Sequence, residues 1–327
     1  MKKISFICLI VLLCTFTNGC SAKSSAPLSH TEILFDTVVT IQLYGTDDSG
    51  ILDDCFTLCQ SFEQTFSSHI ETSEISRINN AGGVPVAVSE DTLELIQKGL
   101  YYSELSNGNF DITIAPLSAL WDFQNNTGTI PDAKDLAAAS SHVSYQNVIV
   151  DTEAGTVCLT DPEAGIDLGG IAKGYIADRL KEFLLEQKVE HALINLGGNV
   201  LAVGGKPGGL AYNIGIQEPF ADSGQSITSV SVSSLSVVTS GIYERYFEKE
   251  GKIYHHILNP QTGYPYETDL YGVTILSDSS TDGDALSTIC LSLGLDEGLE
   301  LINNTEGVEA LFITTDNALH YSDQYPD

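Results

Sequence analysis

The sequence predicts a mixed α/β (α+β) fold over residues 31–327, built as one compact unit or as two lobes meeting at a cleft. Three observations carry this. Hydrophobic residues make up 43% of the chain against 18% charged, enough apolar side chain for a core and too little charge for a disordered chain. Val-, Ile- and Thr-rich segments are interleaved with apolar residues at helical spacing, the pattern of a layered α/β protein. No Pro/Ser-rich linker and no internal repeat divides residues 30–327, and 327 residues suffice for one large domain or two modest ones at roughly 100–200 residues each.

Residues 1–19 stand apart from the fold. Lys2 and Lys3 precede an apolar run, Ile4 to Phe16, too short for a comfortable membrane span, as in an export signal. The run ends at Thr17-Asn18-Gly19-Cys20, similar to a bacterial lipoprotein cleavage box with Cys20 as the lipidated residue. An ordinary signal peptide or an uncleaved anchor explains the run as well. Residues 20–30, rich in Ser and Ala, then form a tether. The expected location is the extracytoplasmic side of the cell membrane, held by a lipid anchor.

In the body, Ile33 to Tyr44 reads as a strand. Asp48 and Ser49 are capping residues ahead of Leu52, Phe56, Cys59, Phe62 and Phe66, which recur at helical spacing. A second amphipathic helix covers about Asp91 to Leu105 and stops at Asn107-Gly108. Short helices follow around Ala115 to Trp121 and Asp132 to Ala139, then strands at Tyr145 to Val150 and Thr156 to Leu159. Asp167-Leu168-Gly169-Gly170 is a glycine turn feeding a helix from Ile171 to Leu185, and Ala192 to Leu196 is the strand after it. The second half is mostly strands: Tyr212 to Gln217, Ile227 to Val232, Ser236 to Thr239, Lys252 to Ile257 and Val273 to Ser277. Helices from about Asp282 to Leu293 and Asp296 to Asn303 precede a last hairpin from Ala310 to Tyr321.

Charge narrows the function classes. The chain carries 14 Lys+Arg against 44 Asp+Glu, a net charge of −30. Removing the two lysines of residues 1–19 takes −30 to −32. Nucleic acid, whose phosphates need Lys and Arg, is excluded as a partner. A phosphorylated ligand would have to be met by helix N-termini, backbone amides and a bound cation. Of the seven cysteines, four lie in the body: Cys55 and Cys59 on one helix, Cys158 and Cys290 in apolar runs. They read as buried free thiols, and no Cys/His set has zinc or haem spacing.

Five segments could carry chemistry. Asp167 to Tyr175 joins an acid, two glycines and a helix start, which would receive an anion or form a plain structural turn. Asn195-Leu196-Gly197-Gly198-Asn199 is a second glycine pair that a hairpin explains equally well. Asp278, Asp282 and Asp284 crowd a helix entrance, where capping accounts for Asp282. Asp284 and Thr288, four apart, share a helix face and offer hard oxygen ligands to a divalent cation. His255 and His256 put one ring on each face of a strand, so one can be buried or functional while the other meets solvent. Ser240 to Tyr246 sets Arg245 among aromatics, for an ion pair or a ligand contact.

The order of these segments resembles the ApbE family of FAD:protein FMN transferases from about residue 32 onward. The matching motifs are Phe35-Asp36-Thr37, Ser73 to Asn79, Gly108 to Leu117, Asp167 to Tyr175, Asn195 to Asn199, Thr239-Ser240-Gly241, His256 to Pro260 with Thr262-Gly263, and Asp284 to Thr288. Phe35 stands where many members have Met, His69 where many have an aromatic, and Asn259 replaces an Asp common before that Pro. The resemblance implies a compact flavin transferase fold and Mg²⁺-dependent splitting of FAD. FMN would pass to a Ser or Thr hydroxyl of a target flavoprotein and AMP would leave. It further implies His256 as the catalytic residue, and Phe35, His69, Asn109, Phe110, Asp111, Asp167, Lys173 and Ile257 as FAD contacts. Gly170, Asp284, Ser287 and Thr288 would hold the metal. An FAD pyrophosphatase and a flavin-binding lipoprotein without chemistry remain the alternatives.

Overall fold

The structure, a computed structural model, describes residues 26–123, 125, 128–222 and 224–326. The export signal and Cys20 lie outside the described residues. The strands in chain order are β1 (Leu28–Leu34), β2 (Thr37–Leu43), β3 (Val86–Ala87), β4 (Val148–Asp151), β5 (Thr156–Leu159), β6 (Ala192–Leu196), β7 (Asn199–Val203), β8 (Tyr212–Gln217), β9 (Ser226–Val232), β10 (Ser236–Gly241), β11 (Tyr246–Lys249), β12 (Lys252–His255), β13 (Leu270–Ser277), β14 (Val308–Thr314) and β15 (Leu319–Tyr321). The helices are α1 (Ser49–Phe66), α2 (Glu74–Asn79), α3 (Glu90–Leu105), α4 (Ala115–Trp121), α5 (Ala133–Ser140), α6 (Ala172–Glu186), α7 (Ser280–Leu293) and α8 (Leu295–Asn303). Strand β1 begins within the stretch read as tether, so the folded body takes in Leu28, Ser29 and His30.

The centre is an eight-stranded sheet in the order β1-β2-β6-β7-β10-β13-β14-β15, antiparallel at every pairing. Successive side chains of a strand point to opposite faces, so a sheet covered on both sides buries both sets. Leu201, Val203, Ala310 and Phe312 face the main core with α1, α6 and α7. Their neighbours Val200, Ala202, Leu311 and Ile313 pack on the other side against the hairpin β8–β9. A third cluster of Leu117, Trp121, Leu136, Phe247 and Leu258 joins α4, α5 and the hairpin β11–β12 into a smaller lobe. The indole Nε1–H of Trp121 donates to the Gly263 carbonyl at 2.7 Å and ties the turn after Pro260 to this lobe.

Two features differ from the sequence reading in ways that shape the site. The single strand expected from Ile33 to Tyr44 is instead the end of β1, a turn at Phe35 and Asp36, whose φ angles of 54° and 57° lie in the left-handed region, and β2. Two such residues make the tight turn whose twist matches the flanking strands. The Glu63 carboxylate of α1 accepts the Phe35 N–H at 2.6 Å and holds the turn. The entrance of α7 is capped chiefly by a carboxylate from another helix. Asp178 of α6 accepts the N–H groups of Ser280 and Thr281, each at 2.9 Å, and the Thr281 hydroxyl at 2.6 Å. Ser279 Oγ accepts the Asp282 N–H at 3.2 Å. Cys55, Cys59 and Cys290 are buried free thiols as expected, while Cys158 is half-buried with its thiol directed at the Gly83 carbonyl.

Candidate active site

Helices α6 and α7 cross so closely that no side chain fits between them at Gly174. A Cβ there would lie 2.3 Å from the Ser280 carbonyl oxygen and 2.7 Å from the Thr281 Cα. Glycine is the residue that permits such backbone contact. The contact lets the Gly174 N–H donate to Asp284 Oδ2 at 2.9 Å. The other carboxylate oxygen, Oδ1, lies 3.6 Å from the Lys173 ammonium, which also donates to the Gly169 carbonyl at 3.3 Å. One turn on from Asp284, Thr288 Oγ1 lies 3.1 Å from the Ser240 hydroxyl.

These groups open on a cleft of about 1630 Å³ that runs between the sheet and the smaller lobe. Phe35, His69, Asn109, Phe110, Asp111, Asp167, Gly170, Lys173, His256, Ile257, Asp284 and Thr288 all border it. The same cleft thus gathers residues from motifs far apart in the sequence. Ser287 is fully buried behind the wall. Its hydroxyl donates to the Asp284 carbonyl at 2.9 Å and pairs with Ser240 Oγ at 2.7 Å. The Phe110 ring packs where a side chain at Gly170 would stand, a Cβ there being 2.9 Å from Cε2. Asp111 is buried and its carboxylate is already engaged by the Thr113 N–H and hydroxyl and by the Tyr145 N–H. Burial raises this carboxyl, and those three bonds oppose the rise. Asp167 Oδ1 accepts the Gly169 N–H at 2.8 Å and so shapes the glycine turn.

The adjacent histidines carry opposite tautomers. His255 is buried, and its Nε2–H donates to the Tyr266 carbonyl at 3.0 Å while Nδ1 accepts the Ile257 N–H at 3.3 Å. His256 points the other way, into the cleft wall. Its Nδ1 lies 3.3 Å from the Arg245 carbonyl, and its N–H donates to the same oxygen at 3.1 Å. A carbonyl only accepts, so Nδ1 carries the proton and Nε2 keeps its lone pair. The ring is half-exposed, but the cleft wall packed around it desolvates it and, with Arg245 and His255, pushes it down to about 3 against the pull of the Arg245 carbonyl. His256 is therefore a neutral base at physiological pH.

The residues around Arg245 gain a place that their sequence did not give them. Glu244 is reached from the cleft, yet the surrounding walls desolvate its carboxyl and raise it. Lys173 opposes that rise, Asp284 adds to it and Arg245 opposes it. Tyr243 packs its ring on Gly241 and Gly272, which face each other across β10 and β13. Phe220, on the loop of the β8–β9 hairpin, sits edge-on to Tyr243, Tyr246 and Tyr271 and closes one end of the cleft. No local pattern in the sequence marks Phe220.

Among the described residues no three His, Cys, Asp or Glu side chains cluster as metal ligands. The donors that the family resemblance implies, the Asp284 carboxylate, the Thr288 hydroxyl and the Gly170 carbonyl, belong to residues that all border the cleft. Such a sparse, hard set fits Mg²⁺, which keeps several waters and takes substrate phosphates as ligands. It does not fit zinc or a soft metal.

A cleft with a neutral histidine, a carboxylate and a hydroxyl one helix turn apart and a glycine turn at a helix start fits a group-transfer enzyme of the α/β class that handles phosphorylated substrates. The chain belongs to the ApbE family, whose profile matches residues 35–312. An FAD:protein FMN transferase of Klebsiella pneumoniae is 39% identical over 287 residues, covering 88% of this chain and 89% of the relative. One from Treponema pallidum is 33% identical over 333 residues, covering 96% and 92%. The crystal structure of the ApbE protein from Thermotoga maritima superposes with a TM-score of 0.85 at 32% identity, covering 91% of this chain and 98% of that one.

Proposed function

We propose that this chain is an FAD:protein FMN transferase that moves FMN from FAD to a Ser or Thr hydroxyl of a target flavoprotein and releases AMP. The observation that carries the reading is the fixed tautomer of His256, which presents the Nε2 lone pair in the same cleft as Asp284, Thr288 and Lys173. At about 1630 Å³ the cleft exceeds the roughly 300–1000 Å³ of ordinary small-molecule pockets. It has room for a dinucleotide together with an acceptor segment.

The steps follow from the groups present. His256 Nε2 takes the proton of the acceptor hydroxyl, and the freed oxygen attacks the FMN-side phosphorus. An O–P bond forms, the bridging P–O bond breaks, and its electron pair departs with AMP. The Arg245 carbonyl holds the imidazole in place and stabilises the imidazolium that forms. Asp284, Thr288 and the Gly170 carbonyl would hold Mg²⁺, with Ser287 bracing Asp284 from behind. When bound, the ion neutralises pyrophosphate charge as it develops. Phe35, His69 and Phe110 border the cleft as surfaces for the flavin and adenine rings, with Asn109, Asp111, Asp167 and Ile257 shaping the walls between them. The reading also holds the domain at the extracytoplasmic membrane face through a lipid on Cys20, supported by the basic start, the apolar run and the Gly19-Cys20 junction. Among the described residues no helix is long and apolar enough to cross a membrane.

The test is incubation with FAD, Mg²⁺ and a candidate acceptor domain. A covalently fluorescent acceptor band with one AMP per FMN transferred is expected. Free FMN alone would make the protein a pyrophosphatase, and tight FAD binding without AMP would make it a flavin carrier. Asp284→Asn keeps the Gly174 contact but removes the charge. It should weaken Mg²⁺ binding in calorimetry and lower turnover on the order of 100-fold; a fully active variant removes the metal assignment.

A further inference from the structure

The chain has three arginines. Arg77 pairs with Glu74 at 3.5 Å, and Arg179 pairs with Glu182 at 2.8 Å and Glu94 at 3.9 Å. The third, Arg245, has no ion pair and no side-chain hydrogen bond among the described residues, although carboxylates outnumber cationic side chains 44 to 14. It is exposed, and it is exposed to the cleft. Its root is fixed, because its carbonyl takes both the N–H and the Nδ1–H of His256. An arginine left unpaired in so acidic a protein, beside the base, points to a missing anionic partner.

Resting on the transferase reading, we infer that Arg245 is a second phosphate-binding group of the cleft and takes the phosphate of the departing AMP. The reaction has two phosphates to serve and the wall around His256 has two cations. Lys173 is already bound to Asp284 and Gly169. Arg245 offers five N–H donors in a planar fork that matches phosphate oxygens two at a time. As the bridging P–O bond breaks, its electron pair gathers on the AMP phosphate. A guanidinium there forms charge-assisted bonds that strengthen as the charge grows. The proton goes to His256 Nε2 and the electron pair stays on the AMP phosphate beside Arg245, so residues joined by one carbonyl serve the two ends of the displacement. The guanidinium also helps to hold His256 uncharged.

The experiment measures inhibition of FAD turnover by AMP and by adenosine in the wild-type full chain, Arg245→Gln and Arg245→Lys. Loss of a charged hydrogen-bond pair should raise the AMP inhibition constant roughly 10- to 100-fold in R245Q. Adenosine inhibition should stay unchanged, and R245K should fall between. The adenosine arm reports an intact cleft. AMP inhibiting R245Q as well as wild type would overturn the inference. So would a rise confined to the KM for the acceptor, which would mean that Arg245 meets a carboxylate of that protein. Wild type that never releases AMP from FAD would sink the transferase reading instead. Direct AMP binding by calorimetry to wild type and R245Q would still decide the role of Arg245.

Discussion

The ring of His255 is closed at both ends, with Nε2–H on the Tyr266 carbonyl and Nδ1 on the Ile257 N–H. Burial pushes it down to about 4, a shift the Tyr266 carbonyl only partly offsets. A proton added at Nδ1 would also meet the Ile257 N–H, donor against donor. In the unfolded chain the same ring titrates near ~6.5. The folded value is the depressed one, so the unfolded state binds the extra proton first. Stability from this group is complete above about pH 6.5 and is lost as the pH falls toward 4. At about pH 5 the unfolded ring is some 1.5 units below its pKa while the folded ring is still neutral, worth ~2 kcal/mol at about 1.36 kcal/mol per unit. Urea unfolding of wild type and His255→Asn at about pH 7.5 and pH 5 isolates the effect, because the other titrating groups are common to both. The variant should start less stable yet lose ~2 kcal/mol less on acidification, with unchanged urea slopes. Equal losses in the two proteins would refute the assignment of a neutral, doubly bonded His255.

His256→Ala should lower transfer roughly 10²- to 10⁴-fold while leaving FAD binding in place, as expected for loss of a general base; an unchanged rate would move the proton relay elsewhere. Since His256 lies at about 3 in the free protein, kcat/KM should show no inflection at the ordinary histidine value, and a clear break near pH ~6.5 would contradict the environment drawn for it. Gly174→Ala sets a methyl 2.3 Å from the Ser280 carbonyl and should cost roughly 1–3 kcal/mol or more as α6 and α7 part. A thermal midpoint like that of wild type would mean that the helices have room to spare.

Elements specified by their own residues were legible in the sequence. Helix α1 has its cap at Asp48, and Leu52, Phe56, Cys59, Phe62 and Phe66 all face the core. Helix α4 and strand β8 start and stop where the apolar pattern does. Strand β7 shows no alternation because both its faces are buried. Strand β11, Tyr246-Phe247-Glu248-Lys249, is half charged and stands because β12 pairs with it. The Phe35–Asp36 turn was hidden because what holds it is Glu63, from a different element. The site divides the same way. Asp284 and Thr288 announce themselves by helical spacing, whereas Asp178 caps a helix 100 residues downstream. The link from Arg245 to His256 runs through a backbone carbonyl, which no side-chain pattern records.

The cleft's carboxylates show how so acidic a chain leaves room for a pyrophosphate. The Asp111 carboxylate accepts from Thr113 and Tyr145, and Asp167 Oδ1 accepts the Gly169 N–H. Asp284 is met by the Gly174 N–H and by Lys173. Each of these three acids faces a donor that lowers the field it projects into the cleft. Glu244 has no such donor among the described residues, and the desolvating wall raises its carboxyl. The repulsion an anionic substrate would meet is thus reduced at these carboxylates, by backbone N–H groups as much as by the few cations. Against that background the cleft's two lysine or arginine side chains, Lys173 at Asp284 and Arg245 with no ion pair among the described residues, are the groups left to meet an anionic substrate on the transferase reading.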